Sequence, residues 1–227
     1  MIKYVLWDID GTLLNFSLAE AKAIRACFEE FGFGDLTDDR LDEYKKINMK
    51  YWKALERGEI SRQEVLEGRF REFFEKYSYD TRRVAAFNIR YQENLGKTYV
   101  FNKNAYEAVR YLSKNYIQFA ATNGSAVAQN GKLEGAGLDK IFKESFISEL
   151  IGYEKPSYEF FSYVFDRVGS TKKDEYIIIG DSITSDIAGG LRVGIKTVWF
   201  NPEKIDKPDD ITVDYEINNL IEVKNIL

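Results

Sequence analysis

Histidine is missing from this chain altogether. Its absence removes Ser-His-Asp and Cys-His catalysis, histidine-ligated zinc and every imidazole base, so proton transfer falls to carboxylate, lysine, tyrosine or cysteine. Cysteine occurs once, at Cys27, which rules out an intrachain disulfide or a paired-cysteine metal site. In a helical stretch a lone cysteine reads as a small apolar residue. Only three prolines interrupt 227 residues. No apolar run approaches the ~20 residues that cross a bilayer, and Met1-Ile2-Lys3 leads straight into strand-like sequence with no apolar targeting segment. A soluble protein of the reducing cytoplasm is expected, with no membrane partner. Positive charge is also in deficit: 32 Lys and Arg stand against 37 Asp and Glu, a net charge of −5. A protein that tracks a nucleic-acid polymer needs a basic face, so that class of partner is excluded. A small anionic ligand is not, because a bound divalent cation reverses the local field.

What is present is an ordinary globular balance, 44% hydrophobic and 30% charged, with 16 Phe and 15 Tyr. The length fits one main core with a smaller insert. Ile2 to Trp7 is a short β-rich run ending in Asp-Ile-Asp-Gly, a strand-to-loop signature. From Ser17 to about Gly96 the chain is charged, with apolar residues at helical spacing (Leu41, Tyr44, Ile47, Tyr51; Phe70, Phe73, Phe74, Tyr77), which predicts four helices and no strand. After Thr98 strands and helices alternate. Helices are expected near 103–114, 126–136, 157–168 and 183–192, and strands at 116–121, 145–147, 176–179 and 196–200. A short strand near Tyr215 and a terminal helix near Leu220 close the pattern. Alternation of this kind implies parallel βαβ units, and continuous apolar strands imply helices on both sheet faces. The fold expected is α/β, a three-layer core with a parallel sheet, interrupted after its first strand by an all-helical insert. The boundaries are 1–15 and 97–227 for the core and 16–96 for the insert.

Ligands of open parallel sheets bind beyond the carboxyl ends of the strands. There the first strand delivers Asp8 and Asp10. The strand ending at Ala121 delivers Thr122-Asn123-Gly124, and the strand ending at Ile179 delivers Gly180-Asp181-Ser182 with Asp186 a helical turn later. Lys155 precedes the helix opening near Pro156. Carboxylates gathered at one point repel unless a cation is present, and Mg²⁺ prefers such hard oxygen ligands. In this setting Asp8 is the candidate nucleophile toward phosphorus. Asp10 is the candidate acid and base for the leaving oxygen and the attacking water. Thr122 and Lys155 would meet the charge on the transferring group. Asp181 would hold the metal and Asp186 would orient Lys155 or a metal-bound water. Each piece alone has a bland reading: Asp10-Gly11 and Asn123-Gly124 are ordinary turn dipeptides, and Gly-Asp-Ser is a common helix cap. Their order, each after a strand or opening a helix, carries the reading.

Asp8-Ile9-Asp10-Gly11-Thr12-Leu13-Leu14, Thr122-Asn123-Gly124, Lys155-Pro156 and Gly180-Asp181-Ser182-Ile183-Thr184-Ser185-Asp186-Ile187 resemble the four motifs of the haloacid dehalogenase superfamily. The resemblance spans the whole chain. It implies a Rossmann-like core with a helical cap domain inserted after the first strand, and Mg²⁺ held by Asp8, the backbone carbonyl of Asp10, and Asp181. Relatives that act on carbon–halogen or phosphonate bonds usually lack a carboxylate at the position of Asp10, so its presence favours phosphate-ester hydrolysis or phosphoryl transfer. Asn15-Phe16, Gly189-Gly190 and Trp199-Phe200-Asn201-Pro202 are similar to the cytosolic pyrimidine 5′-nucleotidase branch, which often carries Asp where Asn15 stands.

The expected substrate is therefore a small phosphorylated metabolite, a nucleoside monophosphate first. A sugar phosphate or phosphoglycolate is the alternative, and a non-catalytic phosphometabolite-binding protein the alternative of another class. Asn123 and Gly124 are expected at the phosphate. Cap aromatics that could stack on a base are Phe16, Tyr51, Trp52, Phe73, Phe74 and Tyr91, of which Phe16 and Trp52 are favoured and the rest read as packing. The chain is compatible with a monomer or a homodimer.

Overall fold

A computed structural model of the chain describes residues 1–227. The chain divides into two compact units, Met1–Phe16 with Tyr99–Leu227, and Ser17–Thr98. The first unit is built on six parallel strands: β1 (Tyr4–Trp7), β2 (Ile117–Thr122), β3 (Glu144–Ile147), β4 (Tyr176–Gly180), β5 (Lys196–Phe200) and β6 (Tyr215–Ile217), in the spatial order β3-β2-β1-β4-β5-β6. β1 pairs with β2 on one side (Leu6 opposite Phe119) and with β4 on the other (Leu6 opposite Ile178). From β1 the chain builds outward to β3, then returns to lay β4 on the opposite side. The order therefore reverses at β1, and a crevice opens at the carboxyl ends of β1 and β4.

Alternation along the strands produces three layers. Val5, Trp7, Ile177 and Ile179 point into one apolar cluster with Val109 and Leu112 of the helix Ala105–Leu112 and Leu133 of the helix Ala126–Gly135. Leu6, Tyr176 and Ile178 point into the other, with Phe160, Phe161, Val164 and Phe165 of the helix Tyr158–Val168. Period-two strands covered on both faces look like unbroken apolar runs, as β4 does with Tyr-Ile-Ile-Ile-Gly, all buried. The covering helix Tyr158–Val168 is capped by Ser157, whose side chain accepts from the Phe160 amide. It ends at Gly169 in the left-handed region at φ +79°. On the same sheet, the helix Ala188–Val193 comes in close because Gly190 has no side chain. A Cβ there would lie 2.7 Å from both Ile178 and Thr197.

The second unit is all-helical: Ser17 to Glu30 continues the helix begun at Phe16, followed by Asp38–Glu56, Arg69–Lys76 and Val84–Gly96. Its core is aromatic. The Phe70 ring stacks on Tyr44 at 5.4 Å and meets Tyr91 edge-on at 5.1 Å and Phe87 at 5.0 Å. Among the stacking candidates, Phe73, Phe74 and Tyr91 have no exposed surface, so these rings are packing residues. Arg69 is buried with them, donating to Asn48, which in turn donates to Glu20.

Two expected helices differ in kind. The segment expected as a helix at 183–192 opens as a π turn over Ile183–Ile187, with the Ile187 amide bonded five residues back to Ser182, and turns helical only at Ala188. The terminal helix near Leu220 is a 3₁₀ run, Leu220–Asn225, in which Leu220 and Val223, three residues apart, both enter the core. A period of three matches 3₁₀ geometry, in which such residues eclipse. A short helix, Ser148–Ile151, was not expected.

Buried Trp7 is hydrogen-bonded as well as packed. Its Nε1 donates to Gln118 Oε1 at 2.7 Å, and Gln118 Nε2 donates to the Val109 carbonyl at 3.0 Å. Trp7→Phe strands a buried acceptor and should cost about 1–3 kcal/mol in urea unfolding. Gln118→Leu should cost less in the Trp7→Phe background than in wild type, because the two positions share one interaction.

Candidate active site

β1 ends at Trp7, and the Asp8 amide continues the ladder onto the Ile179 carbonyl at 2.9 Å. The next residues form a tight loop closed by Leu14 N to Ile9 O at 2.8 Å, with the Asn102 side-chain amide donating to the carbonyls of Gly11 and Thr12. Gly11 is required twice over. Its φ is +93°, and a Cβ on it would sit 2.5 Å from Asp181 Oδ2. Thr12 then clasps Asp181, donating from Oγ1 to Asp181 Oδ1 at 2.8 Å and accepting from the Asp181 amide at 2.9 Å. Trp199, at the end of β5, donates to the Asp181 carbonyl at 3.0 Å. The loops after β1 and β4 are thereby locked together.

Lys155 is 1% exposed, and its three donors have three acceptors: Asp8 Oδ1 at 2.8 Å, Asp186 Oδ1 at 2.6 Å and the Ala121 carbonyl. Asn123 sets the backbone that delivers it, accepting from the Lys155 amide and donating to the Lys155 carbonyl, both at 2.8 Å. The Lys155–Pro156 peptide is cis. Asp186 is also fully engaged, its Oδ2 accepting from the Ser182 amide at 3.1 Å. Thr122 is buried beside these groups, and its Oγ1 accepts from the Gly124 amide at 3.1 Å.

Burial is expensive for such a set of charges. It pushes Asp8 up to about 7 despite Lys155, with Asp186 raising it further. Burial and then the neighbouring Asp8 push Asp181 up to about 7, and burial pushes Asp186 up to about 6. Burial pulls on the Lys155 ammonium in the opposite sense, but Asp186 and Asp8 outweigh it and hold its pKa above the ordinary lysine value. One oxygen of the cluster, Asp8 Oδ2, is buried with no hydrogen-bond partner. Ligand oxygens of Asp8, Asp181 and Asp186 lie within 4.8 Å of one another. A buried carboxylate oxygen of this kind is paired or coordinates a metal, and an all-oxygen donor set suits a hard divalent cation. The site fits such an ion.

Asp10 lies two residues along, with its carboxylate on different partners: Oδ1 pairs with Lys132 Nζ at 2.5 Å, and Oδ2 accepts from Gln129 Nε2 at 2.7 Å. Its side chain is therefore not among the three clustered carboxylates. Lys132 and Gln129 were missed in the sequence. The available signal was their spacing, since both share the buried stripe of their helix with Ala128 and Leu133. Phe16 is half-buried, its ring centroid 5.4 Å from Lys132 Nζ. Trp52 belongs to the helical unit, half-buried with the Arg62 and Arg69 guanidinium groups each 5.9 Å from its ring, and Tyr51 packs on Gly68.

Residues 5–200 match the family model described as haloacid dehalogenase-like hydrolase. The chain belongs to that family. Within it, the chain is 36% identical to the putative HAD-hydrolase YfnB of Bacillus subtilis, over 98% of this chain and 94% of that one. It is 32% identical to the pyrimidine 5′-nucleotidase PynA of Streptococcus pneumoniae, over 99% and 97%. The pyrimidine 5′-nucleotidase YjjG of Escherichia coli is 25% identical over 99% and 97%. A crystal structure of YfnB bound to magnesium superposes with a TM-score of 0.93 at 35% identity, covering 100% of this chain and 98% of that one. This haloacid dehalogenase-like hydrolase thus has the α/β core of its family, and no helix in it is long and apolar enough to cross a membrane.

Removing Lys155 would leave Asp8 and Asp186 buried without their cation. In chelator-treated protein Lys155→Met should cost about 3–5 kcal/mol in chemical denaturation. The exposed Lys143→Met should stay within about 0.5 kcal/mol of wild type.

Proposed function

We propose that the chain is a Mg²⁺-dependent phosphatase of small phosphate monoesters, working through an aspartyl phosphate on Asp8, with nucleoside 5′-monophosphates as the first substrate class. The observation that carries this reading is the pairing of a buried nucleophile, Asp8, whose Oδ2 has no partner, with a second carboxylate, Asp10, held separately two residues away. A carbon–halogen bond releases halide, which needs no proton, whereas a phosphate monoester releases an alkoxide that does. A second carboxylate that can give a proton to the leaving group is needed in the ester reaction and not in halide release. Support for the nucleotide class comes from the full-length similarity to PynA and YjjG.

In this reading Asp8 attacks phosphorus, and the bond from phosphorus to the leaving oxygen breaks with its electron pair on that oxygen. Asp10 gives the oxygen its proton, and the alcohol departs. Asp10, now a carboxylate, takes a proton from water as that oxygen attacks the phosphoryl group, and the bond to Asp8 breaks with its pair returning to the carboxylate. The balance is ester plus water giving alcohol plus inorganic phosphate. Lys155 keeps Asp8 oriented and offsets charge on it, Asn123 holds Lys155, and Thr122 offers a hydroxyl to a phosphoryl oxygen. Asp8, the Asp10 carbonyl and Asp181 would hold Mg²⁺, with Asp186 bracing Lys155 beside them. When bound, the ion would neutralise the crowded carboxylates and polarise the phosphoryl oxygens. Preference for a particular leaving group is assigned to residues outside this set, Trp52 and Phe16 first.

A screen of phosphate monoesters with Mg²⁺ and with chelator tests the reading. The expected result is hydrolysis of nucleoside 5′-monophosphates that stops with chelator, and a loss of at least about 10³-fold in kcat for Asp8→Asn. Sugar phosphates or phosphoglycolate tenfold better than every nucleotide would move the substrate class, and unchanged turnover by Asp8→Asn would end the covalent mechanism. Mg²⁺ should also raise the Tm of wild type and raise it less in Asp181→Asn.

A further inference from the structure

Lys132 is one of the most deeply buried charges in the α/β unit, with no exposed surface, and its one ionic partner is Asp10. Burying the lysine of an ion pair while the Asp10 side chain stays 20% exposed is a poor device for stability, since an apolar residue of similar size generally does as well or better. Its place on a buried helix stripe beside Gln129, Ala128 and Leu133 calls for another reason. The three neighbours of the pair supply one. Gln129 is likewise without exposed surface and donates to the other Asp10 oxygen. Gly124 leaves room for it, because a Cβ on Gly124 would collide with the Gln129 amide group. Phe16 lies over the ammonium.

We propose that Lys132 and Gln129 are positioning residues for Asp10, gripping its two carboxylate oxygens from one helix face so that the carboxyl group meets the leaving oxygen, with Gly124 serving as the clearance that lets Gln129 reach. This inference rests on the phosphatase reading and deepens it. Two donors on two oxygens fix the plane of a carboxyl group as well as its direction, which one donor does not. Phosphoryl transfer from a poor leaving group needs the acid in place as the bond to oxygen breaks, so loss of the grip acts on that proton transfer. Asp8, Lys155 and Asp181 share no hydrogen bond with Lys132 or Gln129, so attack on phosphorus and the carboxylate cluster are left intact.

The leaving group separates this role from a merely structural one. The alcohol of an alkyl phosphate needs the proton from Asp10, whereas p-nitrophenolate leaves without one. Values of kcat/KM, which report the first transfer onto Asp8, would be measured for Lys132→Met, Gln129→Leu and Gly124→Ala. The two substrates are p-nitrophenyl phosphate and the best alkyl phosphate of the wild type. The expected result is a fall of about 10–100-fold in the alkyl-to-aryl ratio for Lys132→Met and Gln129→Leu, and a smaller fall in the same direction for Gly124→Ala. The rise in Tm with Mg²⁺ should match wild type. If all variants lose activity equally toward both esters, or the ratio does not move, the positioning role is wrong. A wild type that hydrolyses neither ester overturns the phosphatase reading, and with it this one. Should Lys132→Met fail to fold, Gln129→Leu gives the same ratio without removing a charge.

Discussion

Lys155 stands between Asp8 and Asp186, with the Ala121 carbonyl as its third acceptor, and much of the α/β unit can be understood as the means of holding it there. Its carrier loop is tied down by Asn123, the turn after β2 supplies that asparagine, and the Ser182 amide takes the free oxygen of Asp186. Even so one ammonium does not balance three clustered carboxylates. Burial keeps their pKa values between about 6 and 7, so the cluster is under-compensated by its own chain. That deficit, more than any single residue, makes this edge of the sheet fit a cation.

Residues that emerge from strand ends were legible in the sequence because a parallel sheet brings its carboxyl ends together whatever the intervening length. Asp8, Thr122 and Asp181 each stand just past a short apolar run, and position in the chain was enough to assemble them. Lys132 and Gln129 were not legible in the same way. They reach Asp10 sideways from the middle of a helix, where a lysine ordinarily lies on the solvent face, and only the burial of its whole stripe shows otherwise. Asn123 was expected at the phosphate, and its side chain bonds the Lys155 backbone and Ser185 Oγ. That pairing depends on a loop whose path no local pattern reveals.

The helical unit shows the opposite relation. Periodicity located its helices, and their aromatic richness invited a reading as ligand contacts. Rings such as Phe28, Phe70, Phe73 and Phe87 interlock edge to face at 5.0–6.1 Å and bury themselves. In a small all-helical layer, large flat side chains fill the space between helices with few residues. Trp52 is left half-buried by such packing, as are Tyr51, Tyr77 and Tyr79.

Gly11 touching Asp181 has a consequence for how the molecule is made. β1 is central to the sheet, yet it has no partner strand until Ile117 and its neighbours have been synthesised, and its second partner begins at Tyr176. The loop carrying Asp8 therefore waits, through an entire helical unit able to form its own local contacts, for distant segments to close around it. Asp8 precedes in the chain every strand that pairs with β1, so its surroundings close only after Lys155 and Asp181 have been made.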